Sequence, residues 1–284
     1  VVKAFGLGWR FHRPQVAVWI GLRWRFGSAS GGDFIGPGNL LTPDRIHSNP
    51  EVHQSAYVDL FGNRVTRLEA PPGRVTFSNR FTIADSGDAD PTPPDSALTP
   101  ISALPDATLL YLTSSRYCDS DKLSDFAWAH FGKIAGGAAR VQAICDFVHD
   151  KIRFSYPDAR PTRCASDSLD EGVGVCRDFA HLAIALCRCM NIPARYATGY
   201  LGDIGVPADP APMDFSAWFE AYLEGRWYSF DARHNRPRIG RVVMGYGRDA
   251  ADVPLTTTFG VATLVRFDVV TRALSQEGRV NPAA

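Results

Sequence analysis

This chain has no excess charge of either sign. Its 284 residues carry 30 Lys and Arg against 30 Asp and Glu, a formal net charge of zero. A balanced surface gives no polyanion-binding field, so nucleic acid is not an expected partner. Long hydrophobic runs are also missing. None approaches the roughly 20 residues of a membrane span, and no membrane association is expected. Val1 to Arg10 lacks a charged head followed by a long apolar stretch, so no secretory signal is read there. Cysteine is sparse, with six residues at 118, 145, 164, 176, 187 and 189, and no C-x-x-C pair occurs. That usage fits reduced thiols in a cytoplasmic protein better than a disulfide framework. Cys187 and Cys189 lie two apart on a predicted helix and so do not face each other, which makes them poor co-ligands. No calcium loop and no phosphate-cradling glycine loop appears, and neither a metal nor a cofactor is expected.

What is present divides the chain. Residues 1–87 read as a β-rich domain. Val16 to Phe26 is strand-like, Gly27 to Gly38 is turn-rich, and Tyr57–Phe61 and Arg64–Leu68 flank a Gly62-Asn63 turn as a hairpin. Val75 to Ile83 is a further strand. His12, His47 and His53 are scattered through this part with no acid–base cluster around them. Residues 88–105 are rich in Pro, Asp and Ser, which cannot bury a core, and read as a linker. Residues 106–284 form the second domain. There, Asp119 or Ser120 is a candidate cap for a helix ending near Phe131. Val141, Ile144, Cys145, Val148 and Ile152 form an amphipathic helical stripe.

The stretch with the most chemistry is Gly172-Val173-Gly174-Val175-Cys176-Arg177-Asp178-Phe179-Ala180-His181, continuing to Met190. Phe179, Leu182, Ala183, Leu186 and Met190 recur at helical spacing, with small residues between them. This is the pattern of a helix buried all round. Asn191 and Pro193 end it. Cys176 would sit in its first turn, where unpaired N–H groups and the macrodipole favour an anion and lower a thiol pKa. Cys176 is therefore the candidate nucleophile. Beyond the helix, Ala194–Leu201 reads as a strand. Asp214–Leu223 and Arg226–Asp231 read as a hairpin around Glu224-Gly225. A two-residue turn pairs Leu223 with Arg226, Tyr222 with Trp227, Glu220 with Ser229 and Trp218 with Asp231. Ser216, Trp218, Glu220 and Tyr222 then share a face with Trp227, Ser229 and Asp231. Residue 216 becomes a diagonal neighbour of Asp231, roughly 7–8 Å away. Trp218 and Trp227 are candidates for an aromatic substrate shelf.

Gly174–His181, Ser216–Tyr222 and Trp227–Asp231, in this order, resemble the bacterial transglutaminase-like superfamily. Ser115–Cys118, Gly247–Val253 and Tyr57–Asn63 are similar to that family's bacterial branch. The resemblance implies an α+β fold: a papain-like core, with a central nucleophile helix packed on an antiparallel sheet, preceded by the β-rich N-terminal domain. It also implies cysteine acyl chemistry at an amide or peptide bond through a thioester. The substrate would be a peptide, a protein or a small amide. Cys176 matches the family's nucleophile and Asp231 its third member. The family's histidine position falls on Ser216.

Serine neither takes a thiol proton nor protonates a leaving amine at neutral pH. Its hydroxyl could instead hydrogen-bond Asp231. Four readings follow from that departure. The chain is an enzyme variant, natural or engineered, with impaired turnover. Alternatively, it is an inactive relative that binds a peptide or protein partner in the former cleft. In the third reading, Cys176 acts without a local imidazole. In the fourth, another histidine substitutes. His181 lies five residues past Cys176, well round the helix, and fits a core role better. His234 lies three past Asp231 and would face away if the strand continued, but Arg233 to Pro237 reads as loop, which leaves it open.

Overall fold

A computed structural model describes residues 2–11, 16–20, 40–95 and 97–274. The Gly27–Gly38 turns, the end of the first predicted strand and His12 lie outside the described residues.

The first part of the chain forms strands β1 (Val2–Phe11), β2 (Val16–Ile20), β3 (His47–Asn49), β4 (Gln54–Val58), β5 (Arg64–Ala70) and β6 (Gly73–Thr82). A helical region follows: α1 (Asp106–Leu109), α2 (Ser124–Phe131), α3 (Gly137–Lys151), the short strand β7 (Arg153–Phe154) and α4 (Ala165–Glu171). Next come the short strand β8 (Val173–Gly174), helix α5 (Cys176–Cys189) and strands β9 (Ala194–Leu201), β10 (Ser216–Leu223), β11 (Arg226–Phe230) and β12 (Arg241–Gly247). The last described elements are β13 (Thr256–Thr258) and β14 (Ala262–Arg272). None of the described helices is long and apolar enough to cross a membrane.

The central layer is an antiparallel sheet of order β11-β10-β9-β12. Its hairpin has the register read from the turn, with Leu223 opposite Arg226, Tyr222 opposite Trp227 and Glu220 opposite Ser229. The printed ladder stops at Phe219 opposite Phe230, so Asp231 opens a turn instead of extending the strand. One face of β10, Ala217, Phe219, Ala221 and Leu223, packs on α5 through Leu182, Ala183, Leu186 and Met190. These helix residues are fully enclosed. Each buried large apolar side chain contributes about 1.5–3 kcal/mol. Val141, Ile144, Cys145 and Val148 bring α3 into the same core.

Tyr200, Val242 and Met244, from β9 and β12, join a second core with Leu7, Leu68, Phe77 and Phe81 of the β-rich part. That part contains two four-stranded sheets, β14-β1-β6-β3 and β13-β2-β5-β4. Each takes one strand from the far end of the chain: β14 pairs with β1, and β13 with β2. The β-rich sheets are thus built from residues both before and after the helical region. Asp119 stands before the short 3-10 turn Ser120–Lys122 without a side-chain cap bond, and reaches instead to the first turn of α4. Its carboxylate accepts the Ser166 N–H (3.0 Å) and Oγ–H, and α2 starts only at Ser124.

Candidate active site

Helix α5 begins at Cys176, as its sequence pattern requires. The Asp178 carboxylate accepts the Val175 N–H at 2.8 Å and so closes the first turn. Arg163 donates to the same oxygen at 3.2 Å, and Arg177 lies 3.6 Å from the other. Burial pushes the Asp178 carboxyl up, against these bonds. Gly174 is required by close approach, because a Cβ there would stand 2.6 Å from Asp178 Cβ. The helix ends with Met190 as cap and Asn191 in the left-handed region, at φ 60°.

Cys176 is half-buried and free. Its thiol is not shifted toward a thiolate, contrary to the expectation from the helix start. Burial pushes it up to about 11, and the Arg233 charge and the Ala217 N–H only partly offset this. Desolvation of the anion outweighs the helix dipole here. The acidic charge of Asp214 acts in the same direction as burial.

Ser216 opens β10 and is 6% exposed, and its Oγ has no hydrogen-bond partner among the described residues. The expected Ser216–Asp231 hydrogen bond is therefore not made. The Asp231 carboxylate is already engaged. Its Oδ1 accepts the backbone N–H groups of Arg233 and His234, both at 3.1 Å. Its Oδ2 accepts from His234 Nδ1 at 2.9 Å and from the two terminal nitrogens of Arg241 at 3.3 and 3.2 Å. Burial raises the pKa of Asp231, but His234 and Arg241 more than offset this and hold it well below the usual carboxylate range. Arg241 also lies 3.1 Å from Asp90, so the Pro/Asp-rich segment is tied to the back of the site.

Ser216, Asp214, Arg233 and His234 line one cleft of about 210 Å³, with Phe154 and Tyr156 on its wall. Cys176 is not part of the cleft lining, but three lining residues are coupled to it electrostatically: Arg233 and Asp214 bear on its sulfur, and its charge bears on Tyr156. The two tryptophans do not form a shelf beside the cysteine. Trp218 is 1% exposed, with the Arg241 guanidinium 4.5 Å from its ring centre. Trp227 stands at the far end of the hairpin, packed edge-on by Tyr111 and Tyr222 with Arg195 over its face. Strand alternation puts their rings on the sheet face opposite α5, where packing encloses Trp218 and half-buries Trp227.

His181 is a structural residue. It is completely buried and stacks on Tyr117 at 5.1 Å, and its Nε2 accepts the Ala250 N–H at 3.2 Å. Burial pushes its pKa down to about 3. His234 is the histidine that sequence reasoning left open. Asp231 starts a turn in which the Asn235 N–H donates back to the Asp231 carbonyl at 2.7 Å. That turn brings residue 234 to the carboxylate. The signal for it is an aspartate at a strand end in Asp231-Ala232-Arg233-His234-Asn235, a type of sequence in which an Asp side chain caps its own turn. Among the described residues, no group of three or more His, Cys, Asp or Glu side chains is placed to hold a metal ion.

A half-buried cysteine at the head of a central helix, packed on an antiparallel sheet that ends in a buried aspartate, defines a papain-like α+β core with a thiol site. Residues 130–232 match the family model of the transglutaminase-like superfamily. Those residues carry a transglutaminase-like domain. The chain is similar to a candidate cysteine protease from Cytophaga hutchinsonii of known crystal structure. The two are 28% identical and superpose with a TM-score of 0.77, over 95% of this chain and 88% of that one. An uncharacterized protein of Mycobacterium leprae is 24% identical over 80% of this chain and 84% of its own length. A Mycobacterium tuberculosis protein is 37% identical over 90 residues, 28% of this chain and 29% of its own.

Proposed function

We propose that this protein is a cysteine acyl-transfer enzyme. Cys176 attacks the carbonyl of an amide or peptide bond, forms a thioester and passes the acyl group to water or an amine. The observation that carries this reading is the placement of Cys176. Its sulfur sits at the first turn of α5 against the Ala217 N–H and under the charges of Arg233 and Asp214, which line the cleft next to Ser216. The N-terminal end of a buried helix favours the negative charge that develops on the carbonyl oxygen. The mixed charge of the cleft, with Asp214 beside Arg233, suits a polar peptide or amide substrate. Proton transfer is the weak point. Deleting one member of a catalytic triad leaves only about 10³–10⁴ over the uncatalysed rate, so a site that relies on residue 216 for an imidazole is impaired to that extent.

A second reading is a binding module that holds a peptide or protein partner in the cleft without turnover. The raised thiol pKa favours it. Acylation by p-nitrophenyl acetate, mapped by mass spectrometry on the intact chain, separates the two. The enzyme reading expects acylation at Cys176 ahead of Cys164 and Cys189, which are also partly exposed, and loss of nitrophenol release in Cys176→Ala. Equal labelling of the three cysteines, or release unchanged in Cys176→Ala, overturns it.

A further inference from the structure

The family's histidine position holds a serine, yet an imidazole stands on the partner that histidine would have used. We propose that His234, oriented by Asp231, is the proton-carrying catalytic residue of the Cys176 site. This rests on the reading of Cys176 as the nucleophile.

Three observations converge on it. The first is the His234–Asp231 pair. Nδ1 lies 2.9 Å from Oδ2, and an ionised carboxylate only accepts, so Nδ1 carries the hydrogen and, in the neutral ring, the lone pair is on Nε2. This is the tautomer and orientation that a buried aspartate imposes on a general base. The second is location. His234, with its side chain 22% exposed, lines the same cleft as Ser216, Asp214 and its own neighbour Arg233, the last two of which bear on the Cys176 sulfur. The third is the state of Asp231. A carboxylate has about four lone-pair positions. Asp231 already meets two backbone N–H groups, His234 Nδ1 and Arg241. A histidine at 216 would have to displace His234 to reach it.

The turn that carries His234 is held from outside. On α3, His149 Nδ1 lies 2.9 Å from the Arg233 carbonyl oxygen. Asn235 donates to Asp146 at 2.8 Å and accepts from Gln142 at 2.9 Å. A residue that served only the turn would not need an imidazole, because the backbone N–H groups already bond Asp231.

The proton balance is complete without an added reagent. His234 Nε2 takes the Cys176 thiol proton as sulfur bonds to the carbonyl carbon. When the C–N bond breaks, the imidazolium returns that proton to the leaving amine. Nε2 then takes a proton from the incoming water or amine. The C–S bond breaks, and the thiol recovers its proton.

The test measures Cys176 acylation and deacylation with p-nitrophenyl acetate in the full chain across pH. The charged groups facing His234 are Asp231 and Arg241 behind it, and Arg233, Asp214, Arg238 and Asp203 around the cleft. His234→Asn is expected to lower the rate about 10²-fold and to abolish the acid limb of the pH profile. Ser216→His alone is expected to give no gain. A rate within about twofold of wild type in His234→Asn, or a large gain in Ser216→His that does not depend on His234, overturns the proposal. A wild type that never acylates Cys176 instead removes the nucleophile reading. A second measurement needs no substitution. Histidine ring 15N signals are recorded before and after Cys176 is capped with iodoacetamide. A shift at His234 Nε2 is expected, and an unmoved His234 signal overturns the proposal even where the variant fails to fold.

Discussion

The two ends of α5 differ in how far their polar groups are satisfied. At the C-terminal end, the Arg188 guanidinium is buried and donates to the carbonyls of Tyr111, Thr113, Ala194 and Arg248 and to Ser115 Oγ. At the N-terminal end, Ser216 Oγ is buried without a partner and the Cys176 thiol is kept in its neutral form by burial. An unpaired buried polar atom costs about 1–3 kcal/mol. In the proposed reading, the open end is the substrate end. The satisfied end also explains the outlying motifs. Ser115–Cys118 and Gly247–Val253 meet over α5, where Asp249 accepts the Tyr117 N–H at 2.8 Å and His181 accepts from Ala250. Asn63 reaches across from the hairpin turn and bonds both backbone groups of Tyr246, at 2.9 and 2.8 Å. These residues brace α5 and its sheet.

The largest test of this contrast is at the closed end. Arg188→Met strips four carbonyls of their donor and is expected to cost about 3–5 kcal/mol in urea unfolding. A loss below about 1 kcal/mol would mean that the bracing is dispensable. At the open end, Gly174→Ala forces a Cβ onto Asp178 and is expected to cost about 1–3 kcal/mol. It should also slow Cys176 acylation, because Asp178 closes the first turn. Unchanged acylation would show that the helix start tolerates a shift.

The smallest effect is in pH. His181 is held neutral in the folded chain, its pKa pushed from 6.5 down to about 3 by burial. The unfolded chain binds that proton first, so stability falls as pH drops from about 6.5 toward about 3 and does not depend on this group above that window. Asp231 and Asp249, both held low, lose their contribution only as pH falls below the ordinary carboxylate range. His181→Gln keeps an acceptor for Ala250 and should flatten the fall in Tm between about pH 7 and pH 5. The same fall in the variant would place the acid sensitivity elsewhere.

Local pattern was enough for the elements around the site. The 194–201 strand, the Glu224-Gly225 hairpin with its pairing from Leu223–Arg226 to Glu220–Ser229, and the buried helix from Cys176 all follow from periods of two and 3.6 and from turn chemistry. Longer-range features were not legible. The return of 262–272 to pair with β1 joins residues more than 200 apart, and nothing in either strand names its partner. Trp218 and Trp227 lie on the face that alternation gives them, yet only packing shows that this face is closed by Arg241 and Arg195.

The sequence by itself determined which residue is the candidate nucleophile, which helix it starts and which strand pair carries residues 216 and 231. These depend on side chains a few positions apart. The tertiary structure decided the state of the thiol, because desolvation depends on everything packed around it. It also decided which imidazole meets Asp231, because a turn after the last strand residue cancels the strand alternation and brings His234 to the carboxylate.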